Sequence, residues 1–470
     1  MTEPPNDKIR LSTLLAYAAP AFALAVVGIP IYVYIPKFYS DVIGVNISIM
    51  GVLISGVRIF DAITDPLLGF LSDRTRTRFG RRRPFIFSGS IFLAVSILML
   101  FNPPAASPTF ETYWFAFWIF LLFLFWTVVA VPYESLGPEI TFDYNERSTL
   151  FGYRDGALIV GTLLAASSPA LISWALGLSD DAAGERAKFF WISVFYAPLI
   201  VIFCGWCVLK IHERPQIRKE KKFAFIDGFR LVGYNRAFLI LLLSYTISAL
   251  GSNLPATLIL FYVQYVLLSS HADLFLLIYF VTGVLFLPAW IRLSAHLGKK
   301  ITWILSMGVN TGAFVGVFFL GPQHIWIYAV LVFISGIGLG ATLAIPSAMQ
   351  ADVIDYDQLC SGQRREGHYV GLWSISKKLA AALGVGIALY ALGVSGYRPN
   401  MQQPAEVVLT LRVLYALVPS LCNIVALLIA LAYPIDQATH EKIKRAIAIR
   451  TAGNSVEDPL RPGQMIVPQR

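Results

Sequence analysis

The chain is poor in charge. Asp, Glu, Lys and Arg together make up 14% of its 470 residues, against about 25% in soluble globular proteins. That is too few ionic groups to coat a water-exposed surface, so a soluble enzyme is excluded. A disordered chain is excluded as well, since disorder needs low hydrophobicity and high charge. Cysteine is scarce: Cys204, Cys207, Cys360 and Cys422 are too few for a secreted disulfide scaffold. Cys204 and Cys207 do spell C-x-x-C, but Phe203, Trp206 and Val208 set the pair inside an apolar stretch. There it reads as two small packing residues, with redox or metal chemistry the alternative. The six histidines (His212, His271, His296, His324, His368, His440) show no metal-ligand spacing. The Gly-Lys-[Ser/Thr] step of an ATP-binding Walker loop never occurs. No catalytic constellation is visible, so an enzyme is not expected.

What the chain has is hydrophobic length. Apolar residues make up 57% and the mean hydropathy is +0.66. About 20 apolar residues span a bilayer as a helix, and runs of that order lie at 12–36, 47–72, 84–102, 112–135, 153–176 and 188–210. A second set follows at 237–267, 273–296, 301–320, 326–348, 369–394 and 408–433. The pattern predicts an all-α integral membrane protein of about twelve helices. Residues 1–210 form one six-helix bundle, 211–236 a polar linker with seven Lys and Arg, 237–434 a second bundle, and 435–470 a tail. The net charge of +9 does not imply nucleic acid, because the basic residues cluster in short tracts between apolar runs. They fall on alternate loops, leaving only Lys37, Arg186, Lys188 and Arg398 on the other side. By the positive-inside rule the linker, both termini and the tail are expected in the cytoplasm, and the chain in the cytoplasmic membrane.

A weak internal repeat supports two halves. Gly80-Arg81-Arg82 follows the second span and Gly298-Lys299-Lys300 the eighth. Two six-helix halves related this way resemble the major-facilitator transporters, whose substrates bind near the bilayer midplane between the halves. With no nucleotide site, the driving force is expected to be an ion gradient, or transport is passive.

Charges inside the spans carry the functional reading, because an ionised side chain at the bilayer centre costs roughly 2.5–3.5 kcal/mol on the mildest scale. Arg58, Asp61 and Asp65 fall at i, i+3 and i+7, on one helical face, with Thr64 beside them. Two carboxylates one turn apart and a hydroxyl offer hard oxygens to a small cation. They suit a proton equally, since neighbouring carboxylates raise each other's affinity for it; a charge-neutralised packing cluster is the third reading. Asp73 with Arg78, Gly80, Arg81 and Arg82 reads as a lock across the cytoplasmic helix ends, or as a plain topology anchor. In the eleventh span Tyr369, Trp373 and Lys377 repeat at i, i+4 and i+8. Lys377 suits an anionic or hydroxyl-rich solute and the two rings suit a sugar face. Tyr17, Tyr32 and Tyr133 are weaker stacking candidates.

These residues resemble a known family. Arg58-Ile59-Phe60-Asp61-Ala62-Ile63-Thr64-Asp65-Pro66, continuing to Gly80-Arg81-Arg82-Arg83-Pro84, is similar to the signature of the glycoside-pentoside-hexuronide:cation symporters. The likeness extends to Val131-Pro132-Tyr133, Asp143-Tyr144-Asn145-Glu146-Arg147, Ala351-Asp352-Val353-Ile354-Asp355-Tyr356 and Arg364-Arg365-Glu366-Gly367, and so to both halves. The resemblance implies a major-facilitator fold that couples Na⁺, Li⁺ or H⁺ to uptake of a sugar or glycoside, with no cofactor beyond that cation. It implies a cation site of Asp61, Thr64, Asp65 and Thr127, and a sugar site that includes Arg154 and Lys377. Thr64 stands where melibiose permease of that family has an amide. Two sugar-binding aspartates of that permease align with Ala25 and Ala130, which leaves a more cationic pocket and points to an anionic hexuronide. Glu134, one turn beyond Ala130, is a possible replacement acceptor. A lysolipid or other amphipath on the same fold is the alternative solute, and a monomer is expected.

Overall fold

The structure is a computed structural model that describes residues 9–141, 144–179, 181–213, 235–362 and 365–467. Among the described residues twelve long helices follow one another: α1 Leu11–Ile43, α2 Ile47–Arg74, α3 Arg83–Phe101, α4 Pro108–Ile140, α5 Tyr144–Leu176 and α6 Ala182–Lys210. Then come α7 Arg236–Tyr265, α8 Ala272–Leu297, α9 Lys299–Val317, α10 Ile325–Ser361, α11 Glu366–Val394 and α12 Ala405–Leu431. A thirteenth helix, α13 (Gln437–Thr451), and a two-strand hairpin (Val456–Glu457 with Met465–Ile466) occupy the segment read as a tail. Most of the expected linker, residues 214–234, lies outside the described residues.

Local chemistry sets the ends. Asn46 accepts the Ser48 and Ile49 N–H groups at 3.0 and 3.2 Å, and Asn235, Asp181 and Asp436 cap α7, α6 and α13 in the same way. Pro30 has no N–H to give, and α1 widens there into a π-helical turn (Pro30–Tyr34) rather than ending. Both glycines of the repeat take positive φ, +111° at Gly80 and +82° at Gly298, where a side chain is strained. The two glycines share a left-handed backbone, although Gly80 lies in an eight-residue connection (75–82) and Gly298 is the single residue between α8 and α9.

Eleven of the twelve long helices are apolar and long enough to cross a bilayer. The exception among the described residues is α9, diluted by Lys299, Lys300, Thr302, Ser306, Asn310 and Thr311. Several helices outrun the apolar runs that predict them. The largest extension is in α10, which continues from 348 to Ser361 through Ala351-Asp352-Val353-Ile354-Asp355-Tyr356, so this motif forms a helical extension beyond the apolar run.

The chain folds as two compact units. The first comprises Met1–Lys219, His271–Leu277 and Val385–Val407, and the second Glu220–Ser270, Ile278–Gly384 and Val408–Arg470. In the first, Phe38 meets Phe189 at 4.2 Å, and the buried Tyr39 donates to the Leu100 carbonyl at 2.6 Å. Asp41 accepts the Tyr397 hydroxyl at 2.5 Å and Tyr34 donates to Asp273 at 2.6 Å. The second unit is centred on Trp303, Met349, Tyr369 and Tyr433. Its tail is tied to α10: Arg450 of α13 donates to the Leu359 carbonyl at 2.7 Å, and Tyr356 of α10 donates to Asp458, in the hairpin beyond α13, at 3.0 Å.

Candidate functional site

The intramembrane charges of α2 are largely withdrawn from solvent. Arg58 is 8% exposed, Asp61 7% and Thr64 7%, while Asp65, one turn on, is half-buried. Thr127 of α4 is 1% exposed and donates its hydroxyl to Asp61 Oδ1. This bond joins α2 to α4 at the pair of residues that the family resemblance matches to a cation site. Thr64 donates to the Asp61 carbonyl at 3.1 Å, which fixes its rotamer and leaves oxygen lone pairs available. Two carboxylates and two hydroxyls thus belong to one small region. Among the described residues, no group of three or more His, Cys, Asp and Glu gathers into a metal cage.

Arg58 is held by aromatic rings. Its guanidinium carbon stands 4.0 Å from the Tyr32 centroid and 5.5 Å from that of Phe123, and its Nε has no hydrogen-bond partner among the described residues. Cation–π attraction of this kind strengthens as water is removed. Tyr32 therefore serves the arginine, although its sequence position suggests a sugar platform.

Arg154 of α5 is part-exposed, pairs with Asp155 at 2.7 Å and lies 4.7 Å from the Phe151 ring. Glu134 is exposed, and both it and Arg154 lie within electrostatic reach of Tyr17. Tyr17 and Tyr133 pack at 5.1 Å, with the Tyr133 hydroxyl donating to the Tyr17 carbonyl at 2.7 Å, so both are packing residues in this conformation. Ala25 abuts Gly161 of α5 closely: a Cβ on that glycine would stand 2.9 Å from the Ala25 methyl.

In the second unit the three residues of α11 separate. Lys377 is exposed, and Trp373 stacks on Tyr245 at 4.2 Å. Tyr369 is 0% exposed, takes a 3.0 Å hydrogen bond from Asn235 and meets the Phe238 ring at 4.7 Å. Buried, with its hydroxyl on Asn235 and its ring against Phe238, Tyr369 is a packing residue in this conformation and offers no open face as the expected sugar platform. Its i, i+4 relation to Trp373 is real, but the helix passes from exposed to core along that line.

The arginine-rich turn after α2 is organised by acids that the sequence reading did not single out. Glu213 accepts the N–H groups of Arg81, Arg82 and Arg83 at 2.9, 2.8 and 2.8 Å. Glu139, at the end of α4, pairs with Arg81 and, at 2.8 Å, with Arg82. Arg78 is exposed against the Phe79 ring, and the side chain of Asp73 lies outside the described residues. Glu213 follows a cysteine-bearing apolar span and precedes a basic tract, so nothing in its sequence context marks it. In the second unit the corresponding turn has a similar device: Lys299 pairs with Asp352 at 2.6 Å, and His440 of α13 approaches Asp352 and Asp355 at 3.3 and 3.1 Å.

These features, many apolar helices in sequence with buried charge on the second, define a multi-pass membrane transporter. Residues 16–437 match the family described as MFS/sugar transport protein, and the chain belongs to that family. It is 26% identical to the glucuronide carrier protein homolog of Escherichia coli, covering 93% of this chain and 95% of that one. It is also 26% identical to the uncharacterized symporter sll1374 of Synechocystis sp., over 96% and 99% of the two chains. The sodium-dependent lysophosphatidylcholine symporter 1 of Xenopus tropicalis is 22% identical over 96% and 93%. Among solved structures, the nucleoside transporter NupG superposes with a TM-score of 0.63 over 90% of this chain and 98% of that one, at 13% identity. The shared fold is that of the major facilitators.

Proposed function

We propose that the chain is a secondary active symporter of the cytoplasmic membrane that couples Na⁺, Li⁺ or H⁺ to uptake of a glycoside by alternating access. The observation that carries this reading is the hydroxyl of Thr127 on the buried carboxylate of Asp61, which gathers oxygens of two helices around an intramembrane charge. The cation sits on Asp61, Asp65, Thr64 and Thr127, neutralises the α2 carboxylates and so favours the loaded carrier. Arg154, Trp373 and Lys377, with Glu134 as acceptor, bind the solute, and an anionic hexuronide suits a pocket in which Ala25 and Ala130 stand where the family resemblance places two sugar-binding aspartates. The likeness to a relative named as a glucuronide carrier supports that solute class. Both termini face the cytoplasm, the turn of Gly80, Arg81 and Arg82 with Glu139 and Glu213 steadies the helix ends on that side, and the protein acts without enzymatic chemistry.

The test is uptake of a labelled aryl glucuronide into proteoliposomes under an imposed sodium or proton gradient. Asp65→Asn is expected to abolish accumulation while leaving exchange across the membrane. Undiminished coupled uptake by the variant refutes the assignment. A second reading, transport of a lysolipid, is supported by the likeness to relatives named lysophosphatidylcholine symporters. A thermal shift with lysophosphatidylcholine and none with any glucuronide favours it.

A further inference from the structure

The first unit contains a groove of about 840 Å³ formed by α1, α5 and α6. Ala18 and Ala19 of α1, both buried, are its floor; Gly152 and Gly156 of α5 line one wall, and Phe203 and Trp206 of α6 the other. A Cβ added to Gly152 or Gly156 would meet nothing within 4 Å, so the two glycines face open space rather than a close helix contact. Helical glycine costs about 1 kcal/mol against alanine, and no packing neighbour here requires it. The lining is almost wholly hydrocarbon, so the groove offers no polar partners for water. Trp206 and Val160 on its rim are 39% and 57% exposed, so the groove opens sideways from the spans toward lipid.

The two ends of the groove differ. Past Val160 it is shut by backbone contact, since a Cβ on Gly161 would stand 2.6 Å from the Phe22 carbonyl oxygen. From Thr149 to Val160 the lining runs for about 16 Å at 1.5 Å per helical residue, the length of a good part of an acyl chain. At the other end stand two exposed cations, Arg10 immediately before α1 and Lys210 one turn beyond Trp206. Glu146, an acid at that rim, accepts the Ile9 N–H at 2.9 Å. An apolar groove shut at one end, with basic groups at the other, is complementary to a lipid with a negative headgroup.

We propose that this groove binds one acyl chain of an anionic phospholipid of the bilayer, with the headgroup phosphate against Arg10 and Lys210. The site is separate from the α2 carboxylates and does not depend on the identity of the transported solute.

Trp206 reports on it directly. The protein is reconstituted with chain-brominated phosphatidylglycerol or chain-brominated phosphatidylcholine, and the Trp206 emission is taken as the difference from Trp206→Phe. Two basic groups near an anionic headgroup predict about ten- to thirtyfold enrichment of phosphatidylglycerol, read as excess quenching at low mole fraction. The excess is expected to vanish in Arg10→Gln/Lys210→Gln, whose positions are exposed and leave the fold intact, and in Gly156→Leu, which fills the slot. Equal quenching by the two lipids in the unmodified protein overturns the proposal. So does an excess that survives in the double variant, or stronger quenching by brominated lysophosphatidylcholine, which assigns the groove to a single-chain amphiphile instead.

Discussion

Thr127→Val separates two roles that one hydroxyl can play. Valine keeps the shape of threonine and removes only the hydroxyl, at a site 1% exposed, so no water enters to replace it. The Asp61 oxygen then loses its donor while remaining buried. Removing a hydrogen bond to a charged group costs about 1.5–3 kcal/mol. If Thr127 serves only to steady the empty carboxylate, this cost falls on the cation-free state and the variant binds cations more tightly. If the hydroxyl also gives a lone pair to the cation, as proposed, the loaded state loses an oxygen ligand as well and affinity falls. Because the empty state loses its hydrogen bond in the same variant, the two costs partly cancel, and the expected result is a net weakening of Na⁺ or Li⁺ affinity of about tenfold for each 1.4 kcal/mol by which the lost ligand outweighs the lost bond. Calorimetric titration of the purified protein at several pH values measures it, with Asp61→Asn as the variant in which binding is lost. Unchanged or tighter cation binding by Thr127→Val refutes the ligand role.

Glu213→Gln keeps an acceptor but removes the charge that holds three successive N–H groups, and is expected to destabilise the first unit by about 2–3 kcal/mol. An unchanged thermal midpoint in detergent contradicts the structural role given to Glu213. Hydrogen bonds from Thr439 hold the Asp436 carboxyl below its ordinary value of 3.8. A depressed pKa stabilises the folded form above that ordinary range, and the contribution is lost as pH falls through the lowered value. Protection of the first-turn amides of α13, taken relative to their intrinsic exchange at each pH, should therefore fall only below about pH 4. Asp436→Asn, which still caps, should remove this pH dependence; acid sensitivity that persists in the variant argues against the cap.

Much of the architecture is written in hydropathy. Each apolar run has its helix, and the Gly-cation-cation repeat is realised as positive-φ turns at Gly80 and Gly298. Helix ends are less legible, because α10 and α5 continue through polar residues once water can solvate their outer faces, and hydropathy alone does not register this. For the site, the i, i+3, i+7 spacing of Arg58, Asp61 and Asp65 is intrinsic to one helix and needs no tertiary information. Thr127 is different: it lies 66 residues from Asp61, and only the family resemblance links the two before the structure does. Tyr369 shows the limit of helical spacing, which assigns a face but not the depth of that face. Glu139 and Glu213 are absent from the sequence reading for a similar reason, since their partners are backbone N–H groups and arginines distant along the chain.

The arginine stacked on Tyr32 also has an electrical consequence. With both aspartates ionised, Arg58, Asp61 and Asp65 together carry one negative charge when the site is empty and none when a monovalent cation is bound. In the proposed cycle the loaded carrier therefore moves this cluster without moving charge, and the empty carrier moves it with one. Each elementary charge that crosses 100 mV is worth about 2.3 kcal/mol. With a neutral solute the membrane potential acts on the return of the empty carrier rather than on the inward step, an anionic hexuronide adds its own charge to the inward step, and Arg58→Gln would leave the cluster one unit more negative in both forms.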